Sequence, residues 1–402
     1  MACRTERLRL LLVRQKIMSS RRGKNYLLLA VFGAVVIMLL FIKGLPPGQP
    51  QPAPAPLSTK TPSSNANPPV AAITATNSPA VESLKMTQEI LRTVPDTKNA
   101  RQQLEALRAA LAAMPANEAA ALIRQFLDSK ADASTHLGFK IGDHGLLDET
   151  PTLRTFLLDE LSRIDPASAA DYSKVILATK DSPDEWAVAL RNLARGDDSD
   201  SGRQLLAQKT SEMLQYEPWQ KNPSVGFLEA FDVAVYLGGY GLMSALTQMV
   251  QQPDNPAVAH ASYLALDRLV INEPVSTLNA LLADMDSMAG RELTRADYFS
   301  RADVRDPQQR QILESYLLNP KTTPAELDAF AKIFPNANFM VSPNLLTPSP
   351  TIDRDTLLNR DQESLRVANE WLADPRFASL RPALQTTITR LDGFVRQSNA
   401  GK

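Results

Sequence analysis

Proline recurs directly after Ser, Thr, Asp or Asn along this 402-residue chain, and eight such pairs adjoin apolar stretches: Thr150-Pro151, Asp165-Pro166, Ser182-Pro183, Asn222-Pro223, Asn255-Pro256, Asp306-Pro307, Thr323-Pro324 and Asp374-Pro375. The first residue of each pair can accept a hydrogen bond from the free amides of a helix's first turn. Proline in the next position gives up no donor the helix needs, and its ring presets φ. Each pair therefore predicts a helix start. The stretches between them carry apolar residues at helical spacing. Leu153, Phe156, Leu157 and Leu161 make one stripe, and Ala187, Leu190, Leu193 and Ala194 a second. Val258, Ala261, Ala265 and Leu269 make a third, with Leu266 and Val270 beside it. Strand signals are few; only 137–147, with Gly138, Gly142 and Gly145, suits a short hairpin or an irregular loop. The body reads as all-α.

The prolines also recur at intervals. Pro223 to Pro256 and Pro274 to Pro307 are each 33 residues, and Pro307 to Pro324 is 17. Helix pairs of about 33 residues are the unit of α-solenoids. Residues 255–282, NPAVAHASYLALDRLVINEPVSTLNALL, resemble a HEAT-type repeat, with a capped first helix, a turn and a Pro-led second helix. Residues 182–195 are similar to a helix of that kind, and 139–166 are similar to uncharacterised membrane-anchored bacterial proteins with helical-repeat bodies. The resemblance implies an α-solenoid-like stack and supplies no activity. A non-repeating helical bundle is the alternative.

Ahead of the body lies a different kind of sequence. Tyr26 to Ile42 is 17 residues without a charge. That is the short end of what crosses a hydrocarbon core. Arg4, Arg7, Arg9, Arg14, Lys16, Arg21, Arg22 and Lys24 precede it against Glu6 alone. An excess of Lys and Arg marks the cytoplasmic flank, so 1–25 reads as a cytoplasmic tail and 26–42 as a transmembrane helix. The same orientation follows if translation starts at Met18. A cleaved signal peptide competes with this reading, but the apolar run exceeds a usual h-region, and Lys43-Gly44-Leu45-Pro46-Pro47 is a poor place to cut.

From Lys43 to Pro79 there are ten prolines and only two charges, Lys43 and Lys60. Such a stretch offers neither ladder donors nor a core, so 43–80 reads as a disordered, partly polyproline tether able to reach roughly 110 Å. The body, 81–402, holds no cysteine, since Cys3 is the only one in the chain. It has no Asn-x-Ser/Thr acceptor and a mild excess of acid. These point to a bacterial inner-membrane protein with its main domain in the periplasm, and they offer nucleic acid no basic footprint.

The uncharged run 233–250 could pass for a second span, but Gly238, Gly239 and Gly241 divide it, and it reads instead as a buried helical hairpin. Catalytic motifs are lacking: no Gly-x-Ser-x-Gly elbow, no cysteine in the body, no phosphate-cradling loop. No cofactor is implied. His136, Asp143 and His144, in a Gly-bearing loop with Asp132 and Asp148, have the chemistry of a divalent-metal site without the one-face spacing of a helical His pair. His260, Trp186, Trp219 and Trp371 fall on or beside helices and read as structural.

Residues 335–353, PNANFMVSPNLLTPSPTID, break the helical rhythm. Long irregular segments inside a compact body are functional or disordered. Phe339, Met340, Val341, Leu345 and Leu346 must bury somewhere, strapped across the chain's own helices or against a protein partner. The sequence therefore describes a single-pass membrane protein with a helical scaffold or adaptor body that binds another envelope protein. A peptidoglycan-acting or metal-dependent envelope enzyme is the alternative.

Overall fold

The computed structural model describes residues 79–400, Tyr240 and Ile352 excepted. The basic stretch 1–25, the apolar run 26–42 read as a transmembrane helix, and nearly all of the Pro-rich stretch 43–80 lie outside the described residues. The described residues up to 395 fall in one compact unit. Its structure is mostly helical, with almost no strand. No helix among the described residues is long and apolar enough to cross a membrane.

Three amphipathic helices open the unit: α1 (Pro79–Thr93), α2 (Thr97–Ala112) and α3 (Ala116–Asp128). Each buries a single stripe; on α2 it is Ala100, Leu104, Leu107 and Leu111. Spacings of three and four keep those side chains on one side of the helix, which is what an outer helix needs. A two-stranded antiparallel hairpin follows, β1 (Lys140–Ile141) with β2 (Leu147–Glu149), where the glycines of 137–147 allowed one.

Next come α4 (Leu153–Ile164), α5 (Pro166–Ile176) and α6 (Pro183–Gly196). Residues 153–162 of α4 and 185–194 of α6 are buried all round, so these two helices form the centre of this half. α7 (Asp200–Leu214) packs on α6. Short helices α8 (Glu217–Lys221), α9 (Val225–Glu229) and α10 (Phe231–Tyr236) lead to α11 (Met243–Val250). The supposed second span is thus two short helices, α10 and α11. Gly238, Gly239 and Gly241 turn the chain between them with φ of 65°, 70° and 67°.

Two long helices, α12 (Pro256–Asn272) and α13 (Pro274–Ala283), pack against each other. α14 (Glu292–Phe299), α15 (Pro307–Leu317) and α16 (Pro324–Ile333) continue the body, with α13 on α15 and α14 on α16. The irregular segment 335–353 then intervenes, followed by α17 (Arg354–Ala373) and α18 (Arg381–Ala400).

Six of the eight Pro pairs start helical segments with the polar residue as N-cap. The other two miss by two residues. Thr150 and Pro151 belong to a bridge with the preceding loop, Thr135 N donating to the Pro151 carbonyl at 3.1 Å. Thr152 is the true cap of α4, accepting from Thr155 N. Asn222 closes α8, and Ser224 caps α9. In both cases a better-placed hydroxyl two residues on takes the capping role.

Helices α4 and α6, and α14 and α16, are joined by buried arginine–carboxylate pairs. Arg154 meets Glu185 through two bonds of 2.7 and 3.0 Å. Arg191 meets Asp159 at 2.5 Å, and Arg295 meets Glu326 at 3.0 and 2.7 Å. Arg301, just after α14, pairs with Asp267 of α12. The tryptophans are interior: Trp186, Trp219 and Trp371 are buried, and Trp186 and Trp219 meet edge-on at 5.3 Å.

Candidate functional site

The turn of the β-hairpin is held from below. Asp159, fully buried on α4, accepts from Leu147 N at 3.1 Å and from Arg191 Nη1. Arg191 Nη1 also donates to the Gly145 carbonyl at 2.8 Å. With its floor fixed, the turn projects His144 and Gly145, whose φ values are 55° and 65°. His144 tolerates the left-handed region better than a β-branched residue would. Gly145 is obligatory for a second reason: a Cβ there would run into the Leu345 carbonyl oxygen.

That carbonyl belongs to the irregular segment, which lies across the helices as a strap. Leu345 is completely buried and Leu346 half-buried. Asp232, buried on α10, receives Leu346 N at 2.6 Å, Thr347 N at 3.1 Å and the Thr347 hydroxyl. Successive backbone amides gathered on one carboxylate make an anion nest, here occupied by the protein's own side chain. Arg268 of α12 completes the latch, contacting Asp232, Thr347 and, at 3.2 Å, Asn344 Oδ1. Burial lowers the Arg268 pKa to about 10. The strap also closes on itself, Ser349 Oγ donating to the Ser342 carbonyl at 2.7 Å.

Between turn and strap lies a cleft of about 680 Å³, lined by 142–145, 341–349 and Arg195. This is the volume of a small-ligand site. Arg195 sits in the last turn of α6, where a cation suits the helix dipole. Its Nη2 donates to the His144 carbonyl and to the Leu345 carbonyl, the latter at 2.9 Å, so one nitrogen ties hairpin to strap. Desolvation, helped by the nearby charge of Arg191, lowers the Arg195 pKa to about 10. Among the described residues no carboxylate forms an ion pair with it, Asp143 of the same cleft included.

Two features that the sequence kept apart thus meet. Asp143 and His144 share the cleft with Val341, Leu345 and Leu346. His136 does not join them; it is exposed at another left-handed position, φ 57°, ahead of β1. Among the described residues no three His, Cys, Asp or Glu side chains stand close enough to hold a metal ion, so His136, Asp143 and His144 do not form the centre their types suggested. The hairpin separates them because each histidine occupies its own turn. Phe339 is half-buried, whereas Met340 and Val341 are 54% and 73% exposed, Val341 lining the cleft. His260 is exposed and stacks on Tyr263.

Sequence reasoning missed Arg195, Asp232 and Arg268. Their partners lie 150, 114 and 76 residues away, and no local spacing announces them. No family model matches the chain, and comparison with curated proteins and with solved structures finds no match either.

Proposed function

We propose that this chain is a membrane-anchored helical scaffold that holds another envelope protein, and that docking takes place at the cleft between the hairpin turn and the strap. The observation that carries this reading is the cleft wall. The strap anchors Leu345 inside the body and leaves Val341 in solvent on the wall of an open concavity, with exposed Met340 next to it in sequence. Exposed apolar side chains rimmed by polar groups are typical of contact surfaces. The 17-residue apolar run 26–42 with its basic flank supports an anchor with the N-terminus cytoplasmic and the body periplasmic.

The α-solenoid reading of the body draws support from the buried ion pairs. Arg154–Glu185, Asp159–Arg191, Asp267–Arg301 and Arg295–Glu326 are separated by 31, 32, 34 and 31 residues, close to one helix-pair repeat. Helical repeats commonly present a surface to other macromolecules. The enzyme alternative has Asp143 and His144 in the cleft in its favour, but no third ligand or activated nucleophile beside them.

A photo-crosslinking residue placed at Val341 of the full-length chain in cells should give a discrete adduct, and one at the equally exposed Leu293, outside the cleft, should not. No adduct at 340 or 341 would remove the docking surface. Alkaline extraction of membranes should leave the chain in the pellet; its release would remove the anchor. Muropeptide release by the full-length chain, with or without divalent metal, would favour the enzyme instead.

A further inference from the structure

Arg195 has donors to spare. A guanidinium carries five N–H groups. Nη2 uses its two on the His144 and Leu345 carbonyls. Among the described residues Nε and Nη1 form no hydrogen bond, and no carboxylate forms an ion pair with the guanidinium. Among the other arginines of this half, Arg154, Arg191 and Arg163 each meet a carboxylate, and half-buried Arg124 donates to Ser168 Oγ at 3.4 Å. Arg195 is thus an exposed cation on the wall of the cleft, with three donors that no described residue takes. Around it the strap supplies apolar surface from Val341, Pro343, Leu346 and Pro348. A cation set in apolar walls complements a carboxylate on an apolar chain, because desolvation strengthens the charge-assisted bond while the walls take the chain.

We propose that Arg195 is the anion-binding group of this cleft and that its ligand is a carboxylate carried by an apolar peptide segment of the docked partner. The inference rests on the docking reading above and names what that cleft recognises. Its Nη2 bonds preorganise the guanidinium, so a carboxylate would meet Nε or Nη1 without the side chain having to be ordered first. Asp143, which also lines the cleft, then disfavours a second carboxylate and sets a limit of one anion per site.

The test uses acetylated tripeptides of Ala, Val and Leu over immobilised full-length chain, in three forms: free acids, C-terminal amides, and amides with one Asp side chain. Retention of the acids, or of the Asp-bearing amides, should exceed that of the plain amides by about tenfold, the ratio expected from one charge-assisted hydrogen bond. Whichever acidic form is retained identifies a terminal or a side-chain source. Arg195→Gln should abolish the preference and Arg195→Lys should restore part of it. Because Arg195 also ties the strap, Val341→Glu is the second variant; at an exposed position on the cleft wall it places a repelling charge in the cleft and should cut retention of the acidic forms selectively. Equal retention of acids and amides, with loss of both in Val341→Trp, would overturn the carboxylate assignment and leave docking standing. An acid preference that survives both Arg195→Gln and Val341→Glu would also overturn it. Retention of none of the three forms would overturn it as well, and docking would then stand or fall on the crosslink at 341.

Discussion

Gly145 is the residue on which the junction of hairpin and strap depends most sharply. It combines a φ of +65° with a Leu345 carbonyl oxygen where a side chain would start. Gly241 has almost the same φ, +67°, and open space around it. The pair separates backbone strain from steric displacement. Gly241→Ala should cost about 1 kcal/mol, the penalty of a left-handed residue. Gly145→Ala should cost roughly 2–4 kcal/mol, since it must also move the strap or the turn. Denaturant unfolding measures both, and amide exchange over 341–349 should accelerate only in Gly145→Ala. Equal costs would mean that the strap is not held against the turn. Asp232 offers a parallel case. Its carboxylate receives two backbone amides, a hydroxyl and Arg268, so Asp232→Ala leaves a buried cation and open amides, a loss of about 3–5 kcal/mol.

Helices were the most legible elements because their signals are local. A capping side chain and the proline after it act within one turn, so Ser182, Asn255, Asp306 and Thr323 could be read without knowing what they pack against. Thr150 misled because its proline bonds the preceding loop, and Asn222 because it closes α8, contexts that a dipeptide does not reveal. The strap was legible as an anomaly, from its prolines and stranded apolar residues, yet its destination was not. What fixes it, the carboxylate of Asp232 and the guanidinium of Arg195, comes from helices more than a hundred residues earlier. The two histidines of the metal reading likewise lie in separate turns, a placement that their residue types do not announce. The caps also carry a pH prediction. Side-chain hydrogen bonds from Gln309, Thr356 and Arg376 hold the carboxyls of Asp306, Asp353 and Asp374 below their ordinary value. A depressed folded pKa means stability that is complete above the unfolded value, near 3.9, and is lost as pH falls through the folded one. Melting temperature should therefore drop in acid below about pH 4. Asparagine caps as well as aspartate does, so the triple variant Asp306→Asn, Asp353→Asn, Asp374→Asn should melt nearly as high at neutral pH and show a shallower acid limb. Parallel acid limbs would show that other carboxylates dominate.

In the whole molecule the open question is whether the helices behave as a row of units or as one block, and the buried ion pairs can decide it. Arg295 and Glu326 tie α14 to α16, and Glu326, fully buried, also accepts from the Tyr316 hydroxyl at 2.9 Å. Arg295→Ala strands that carboxylate, and breaking such a pair typically costs about 3–5 kcal/mol. That is a large share of a domain's stability, which is of order 5–15 kcal/mol. Replacing both partners by apolar residues, Arg295→Met with Glu326→Leu, should recover most of the loss, short of what the orphaned Tyr316 hydroxyl costs. Where the loss appears is more informative than its size. In a stack coupled only between neighbours, stability is a sum of local units and interfaces. Amide exchange in Arg295→Ala should then accelerate across α13–α16 and stay near its original rate in α4–α6, which have their own pairs, Arg154–Glu185 and Arg191–Asp159. A single cooperative bundle would instead lose protection everywhere by the same free energy, because its slowest amides open only in global unfolding. Uniform acceleration would therefore displace the solenoid reading in favour of the bundle. Acceleration confined to α13–α16 would leave the cleft between the hairpin turn and the strap independent of the far helices, as a docking site on a repeat scaffold requires.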